Sequence, residues 1–232
     1  MRPIPFVDIH THSTRYEQAT VTVQNIFPGE GFAAFTGRNF YSVGLHPWHV
    51  ASKKENNEAL QLVEEALEFD HVIFVGEAGL DKVVDIDFAE QKRVFEAQAF
   101  MSEEYQYPLV IHCVKAYNEV MELRKKMNPV MPWILHAYSG SLELTQQLSN
   151  HGFLFSFGDL LFNSNAKVID AFKYLPLDKI FFETDEMEDD VSVIYEQGAK
   201  LKEIPLEEIK AAVWKNFNRI ERTLVDRVGS EK

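Results

Sequence analysis

The chain has 232 residues, of which 46% are hydrophobic, 25% charged and 12% aromatic, and its formal net charge is −13. This composition excludes a disordered, collagenous or low-complexity chain, and one cysteine, Cys113, excludes an intrachain disulfide framework. The acidic balance weighs against broad nonspecific binding of nucleic acid.

Eight short, β-rich apolar runs alternate with longer segments of helical periodicity. The first two runs, Ile4–His10 and Thr20–Phe27, have connections too short for full helices. Phe40–Leu45 is followed by a helix from an N-cap at Ser52 to about Phe69, with Leu60, Val63, Ala66 and Leu67 on one stripe. Val72–Gly76 precedes a helix over about 87–105 that carries Phe88, Val94, Phe95, Ala99 and Phe100. Leu109–His112 precedes a helix over about 115–127. Trp133–Ala137 precedes one that starts at Ser141, with Leu144 and Leu148 at i, i+4. Phe153–Phe157 and Lys179–Glu183 complete the strands. Pro205 opens a C-terminal helix striped by Leu206, Ile209, Val213, Phe217, Ile220 and Leu224.

Most runs are continuous rather than alternating, as in parallel strands buried on both faces. The fold expected is therefore α/β: a closed (β/α)8 TIM barrel, somewhat distorted, with abbreviated helices near strand 2. A doubly wound open sheet is the alternative. No linker-like stretch interrupts the chain, so residues 1–232 are expected to form one domain. The start MRPIPFVDIHTH contains no apolar leader core and no run approaches the roughly 18 apolar residues of a membrane span, so a cytoplasmic protein without membrane association is expected.

In such a barrel, chemistry sits at the C-terminal ends of the strands. Strand 1 ends in Asp8-Ile9-His10-Thr11-His12, where residues two apart share a face, so His10 and His12 can converge on one ion and Asp8 is expected one layer deeper. Strand 3 ends at His46, strand 4 at Glu77, strand 5 at His112, strand 6 at His136 and strand 8 at Glu183-Thr184-Asp185. Of eight histidines, only His71 and His151 fall away from strand ends. Imidazoles and carboxylates gathered in this way suit one or two divalent ions such as Zn²⁺ or Mn²⁺.

The ordered motifs Asp8-Ile9-His10-Thr11-His12, Gly44-Leu45-His46-Pro47, Gly76-Glu77-Ala78-Gly79-Leu80-Asp81, Ile111-His112-Cys113, His136-Ala137-Tyr138-Ser139-Gly140-Ser141, Glu183-Thr184-Asp185 and Asn216-Phe217-Asn218-Arg219 resemble the TatD family of metal-dependent hydrolases, within the amidohydrolase-type barrels. The resemblance spans residues 8 to 219. It implies two divalent ions (Zn²⁺, Mn²⁺ or Mg²⁺). His10, His12 and Asp185 would hold the first, His112 and His136 the second, and Glu77 would bridge them. It implies metal-assisted hydrolysis in which Asp185 also accepts the proton of the attacking water. Glu183 and Asp8 are expected to support the ligands from behind. His46, Trp48, Lys115 and Tyr138 are candidates for contact with substrate. Cys113 should point away from the barrel axis and take no part.

The resemblance implies a deoxyribonuclease acting on nucleic-acid ends, but two departures bear on the substrate. The family's arginine two residues after the strand-5 histidine is replaced by Val114, with Lys115 next, and lysine is not the bidentate phosphate clamp that arginine is. Six of the eight residues from Glu183 to Asp190 are acidic, which opposes a polyanion or marks the start of a solvated helix. An ester or amide of a small molecule, or an aminoacyl-tRNA ester, is the alternative substrate, and a non-catalytic metal-stabilised scaffold the remote one. No obligate protein partner is implied.

Overall fold

A computed structural model describes residues 3–15, 17, 19–30, 39–163 and 166–228; the side chains of Ala166 and of residues 221–228 are outside that description. Eight parallel strands form one sheet in sequence order. They are β1 (Phe6–Thr11), β2 (Thr20–Ile26), β3 (Phe40–Val43), β4 (Val72–Asp81), β5 (Leu109–Val114), β6 (Trp133–Leu135), β7 (Leu154–Phe157) and β8 (Ile180–Phe182). Around them run α1 (Lys53–Ala66), α2 (Phe88–Glu104), α3 (Tyr117–Met127), α4 (Leu142–Asn150), α5 (Ala166–Tyr174), α6 (Val191–Lys202) and α7 (Leu206–Val228). The architecture is the expected (β/α)8 barrel, nearly closed. Among the described residues of the β1–β2 connection there is no helix, and the described part of the β2–β3 connection holds only a 3₁₀ turn, Pro28–Glu30; residues 31–38 lie outside the description.

Strand boundaries depart from the sequence reading where the site is built. β4 continues five residues past Gly76, and all ten of its residues are buried. β6 and β8 stop short, at Leu135 and Phe182, so His136 and Asp185 sit on the turns beyond them. Helix α5 has no counterpart among the helices expected from the sequence, and the reading of the acidic run as the start of a solvated helix is met by α6. The acidic run after Asp185 leads into α6, with Asp190 as its N-cap accepting from Ser192 N at 2.6 Å.

The barrel closes between its first and last strands. Asp185 N donates to His10 O at 3.1 Å and His12 N to Asp185 O at 3.0 Å, a parallel bridge. β8 is too short to extend this pairing deeper. There the hydroxyl of Tyr195, on α6, accepts from Val7 N at 3.1 Å and donates to Val7 O at 2.9 Å. One buried phenol thus takes the place of a missing strand partner, as buried backbone groups require.

The C-terminal Asn-Phe-Asn-Arg motif is a clamp on β8. Asn216 Nδ2 donates to Leu177 O at 2.7 Å and Ile180 O at 3.0 Å, and Arg219 donates to Asp178 O at 2.8 Å. β4 and β5 approach so closely that a Cβ at Gly79 would lie 1.9 Å from His112 O, and Gly79 adopts φ +159°. Only glycine fits there.

Tyr195→Phe leaves Val7 N–H and C=O unpaired in the interior. It is expected to cost about 1–3 kcal/mol, read as a shift of the urea midpoint without a change of slope.

Candidate metal centre

The C-terminal mouth of the barrel gathers five imidazoles around one carboxylate. Glu77 Oε2 lies 3.5 Å from His10 Nε2 and 3.6 Å from His12 Nε2. Glu77 Oε1 lies 2.6 Å from His136 Nε2, 2.9 Å from His112 Nδ1 and 3.1 Å from His46 Nε2. Asp185 Oδ1 approaches His10 Nε2 at 3.8 Å and His12 Nε2 at 3.5 Å. The two oxygens of Glu77 are therefore divided between two sets of histidines. All six residues that the family resemblance implies as ligands meet here.

Electrostatics follow from this crowding. Burial works to raise the pKa of Glu77. The charge of His136 and the imidazoles of His10, His112 and His12 around it outweigh it and hold the carboxyl well below its usual range. Burial opposes a charge on His136, yet Glu77 and Glu183 push its pKa well up. His12 is raised by its bond to Glu77, and His46 is lowered by burial. Asp185 is raised, chiefly by burial.

Two of the imidazoles, His136 and His112, are held from behind by carboxylates. Glu183 is fully buried; its Oε1 accepts from Ala137 N and lies 3.5 Å from His136 Nδ1, which leaves Nε2 turned to Glu77. Asp81, a buried carboxylate four residues after Glu77, faces His112 Nε2 at 3.4 Å, so Nδ1 points inward. Asp81 itself accepts from Trp48 Nε1 and Val83 N, both at 2.7 Å. Three buried amides fix the irregular backbone. Asn25 Oδ1 accepts from Glu77 N at 2.7 Å, and Gln91 bonds both N and O of Asp81 at 2.9 and 3.0 Å. Gln98 does the same for Leu45 next to His46, at 2.7 and 3.0 Å.

The sequence reading gave no role to Asp81, Asn25, Gln91 or Gln98. The available signal was weak: an acid and an amide inside apolar strands, and two glutamines on the buried face of α2.

Two side chains stand elsewhere than expected. Tyr138 does not line the mouth. It is buried, bonds Thr145 Oγ1 at 2.8 Å and packs on Phe155, because left-handed backbone at Ala137 (φ 43°) turns the chain inward. Gly140 makes room for it, since a Cβ there would lie 2.0 Å from its hydroxyl. Asp8 is turned to Thr184, not to the imidazoles. Thr184 N and Oγ1 lie 3.0 and 2.6 Å from its oxygens, and the β1–β2 register shifts between Asp8 and Thr11. Burial pushes its carboxyl up to about 7 against those hydrogen bonds. Asp8 thus braces the residue before Asp185.

His46 is buried inside the cluster, Trp48 is 57% exposed at its edge, and Lys115 is exposed just after β5. Burial pushes the Cys113 thiol up to about 12, which makes it a poor nucleophile.

The donor set fits a divalent cation. Both ring nitrogens of His10 are fully buried and have no hydrogen-bond partner among the described residues, and Nε2 points at two carboxylates. Three groupings could each hold an ion: His10 with His12 and Glu77, His10 with His136 and Asp185, and His46 with Glu77 and His112.

A family model described as TatD related DNase matches residues 29–222. The chain belongs to this family. An uncharacterised metal-dependent hydrolase of Methanocaldococcus jannaschii is 24% identical, over 93% of this chain and 96% of that protein. The 3'-5' ssDNA/RNA exonuclease TatD of Citrobacter koseri is 27% identical over 62% of this chain and 56% of its own length. The crystal structure of the TatD homologue YjjV from Escherichia coli superposes with a TM-score of 0.81 at 21% identity, covering 93% of this chain and 97% of that one. No helix among the described residues is long and apolar enough to cross a membrane.

This TatD-family chain is a metal-dependent hydrolase by family. Asp81→Asn frees the ring orientation of His112 without removing a ligand. It is expected to weaken divalent-metal binding about 10- to 100-fold while the fold persists, measured by metal titration with circular dichroism alongside.

Proposed function

We propose that the protein is a two-metal hydrolase that cleaves phosphodiester bonds at nucleic-acid ends. The observation that carries this reading is the division of Glu77. One oxygen faces His10 and His12, the other His112 and His136, and a bridging anion is what two closely held dications need to offset their repulsion. In the proposed arrangement His10, His12 and Asp185 hold one ion, and His112 and His136 the other. When bound, such ions supply Lewis acidity toward a phosphoryl oxygen and bring the pKa of water toward neutrality.

The protein's own part is positioning and proton transfer. Asp185 has a side chain 36% exposed and stands at the rim of a cleft of about 280 Å³ between Ala137, Gly158, Asp159 and Met187. Its pKa, raised by burial, suits a carboxylate that takes a proton from the attacking water and passes it to solvent. Trp48 is pinned by Asp81 yet exposed, and offers its ring face to a base beside the scissile phosphate. Lys115 is the cation available near strand 5. The names of nucleolytic relatives support the substrate class.

One observation favours a second reading, an uncharged or cationic small ester or amide. The rim beyond Asp185 carries Glu186, Glu188, Asp189 and Asp190, and Glu17 is pushed up to about 7 by its hydrogen bond to Asp190. Such a rim repels a polyanion unless the ions compensate.

The deciding experiment is hydrolysis of end-labelled single-stranded DNA by metal-free protein, with Mg²⁺, Mn²⁺ or Zn²⁺ restored in turn and His112→Ala as the control for contaminating nuclease. Metal-dependent nucleotide release, absent in the variant, is expected. Protein that binds the ions but releases nothing turns the assignment to the ester or amide. Asp185→Asn should lower kcat at least about 100-fold with an unchanged melting temperature. The triple change E188Q/D189N/D190N keeps an N-cap on α6 and should tighten oligonucleotide binding, most strongly at low salt. An unchanged Kd across a salt series would show that the rim does not act on substrate.

A further inference from the structure

His46 stands in one of the three groupings able to hold a cation, with Glu77 and His112. Its ring is buried and its Nε2 is 3.1 Å from Glu77 Oε1, so by distance and burial it resembles a ligand. Its other nitrogen contradicts that. His46 is the N-cap of the 3₁₀ turn Pro47–His49, and its Nδ1 accepts the Trp48 backbone N–H at 3.2 Å. Pro47, which has no N–H, is the first residue of that turn, so Trp48 N–H is its first free donor.

A neutral imidazole has one N–H and one lone pair, and a protonated one has no lone pair at all. The lone pair of His46 is committed at Nδ1. Nε2 must therefore carry hydrogen, and it points at a carboxylate oxygen that can only accept.

We infer that His46 enters the centre as an N–H donor and not as a ligand, and that it acts as the positioning residue for Glu77 Oε1. The inference rests on the two-metal reading above and goes beyond it. Oε1 has two lone pairs. The His46 N–H occupies one and leaves the other on the side of His112 Nδ1, at 2.9 Å, and His136 Nε2, at 2.6 Å. The backbone turn at Pro47 thereby sets the direction in which the bridging carboxylate offers itself to the second ion. No comparable N–H from a capping residue reaches Oε2 among the described contacts, so the two halves of the centre are inequivalent by construction.

The test combines a tautomer measurement with metal binding, and neither uses nucleic acid. Long-range ¹H–¹⁵N correlation of ¹⁵N-histidine-labelled protein, with His46 assigned by His46→Gln, is expected to show a pyridine-type nitrogen at Nδ1 and a protonated Nε2. That pattern should persist when zinc is added. Glutamine places an N–H where Nε2 stood. His46→Gln should therefore retain wild-type metal stoichiometry and most of the affinity, whereas His46→Ala should weaken the second equivalent about 10- to 100-fold without removing it. A pyridine-type nitrogen at Nε2, or loss of a metal equivalent in His46→Gln, would overturn the assignment as donor. Equal affinities in His46→Ala and wild type would overturn the positioning role. Wild-type protein that takes up fewer than two ions would sink the two-metal reading and the positioning role with it, whereas a wrong tautomer in metal-free protein sinks only the present inference.

Discussion

The burial of a single carboxylate governs this molecule. Glu77 lies almost wholly out of water in the middle of a strand, where an ionised group costs several kcal/mol after every relaxation available to it. Five imidazoles converge on it from four strand ends, His10 and His12 sharing that of β1. A barrel is the architecture that can do this, because its strands all deliver their C-terminal ends to one mouth. The electrostatics are reciprocal. Glu77 remains ionised because histidines surround it, and His12 and His136 hold protons more tightly because Glu77 is there.

Ordinary strand pairing cannot hold such a centre. The candidate ligands sit where strands end or bulge, and there the ladder leaves N–H and C=O groups without partners. Buried side chains provide the substitutes: Asn25 for Glu77, Gln91 for Asp81, Gln98 for Leu45, Tyr195 for Val7. Each is a neutral group with both donor and acceptor capacity or a well-placed acceptor, so it can replace a strand without adding charge to an already charged mouth. Thr184 and Asp8 do the corresponding work beside Asp185, which takes a left-handed conformation at φ 53°. The rigidity of the centre is thus borne largely by residues that never face it.

Charge separates the chemistry from its approach. The interior of the mouth is rich in imidazole and suited to cations, whereas the rim after Asp185 is acidic. For a nucleic-acid end, affinity must come from bound ions and from an exposed ring such as Trp48 more than from basic side chains. For a small ester, the rim would be neutral or attractive. The balance is local, since at physiological salt exposed rim charges act over about 8 Å and the enclosed carboxylate is screened far less.

Much of this was legible in the residues alone. Continuous apolar runs reported parallel strands buried on both faces, and their alternation with helical stripes reported the barrel. Ligand types at strand ends reported the centre, because a strand's period of two puts His10 and His12 on one side and an apolar run shows where a strand finishes. Other features had no one-dimensional signature. That β4 runs on to Asp81, that Tyr138 turns into the core and that Asp8 serves Thr184 depend on a left-handed residue and a register shift, which local pattern does not encode. The sequence by itself determined which atoms could hold a cation. Tertiary structure decided which ring nitrogen faces Glu77 at His112, since Asp81, on the neighbouring strand, lies against the other one, and it decided that the local turn at Pro47, which commits Nδ1 of His46 to the Trp48 N–H, is carried to the same carboxylate.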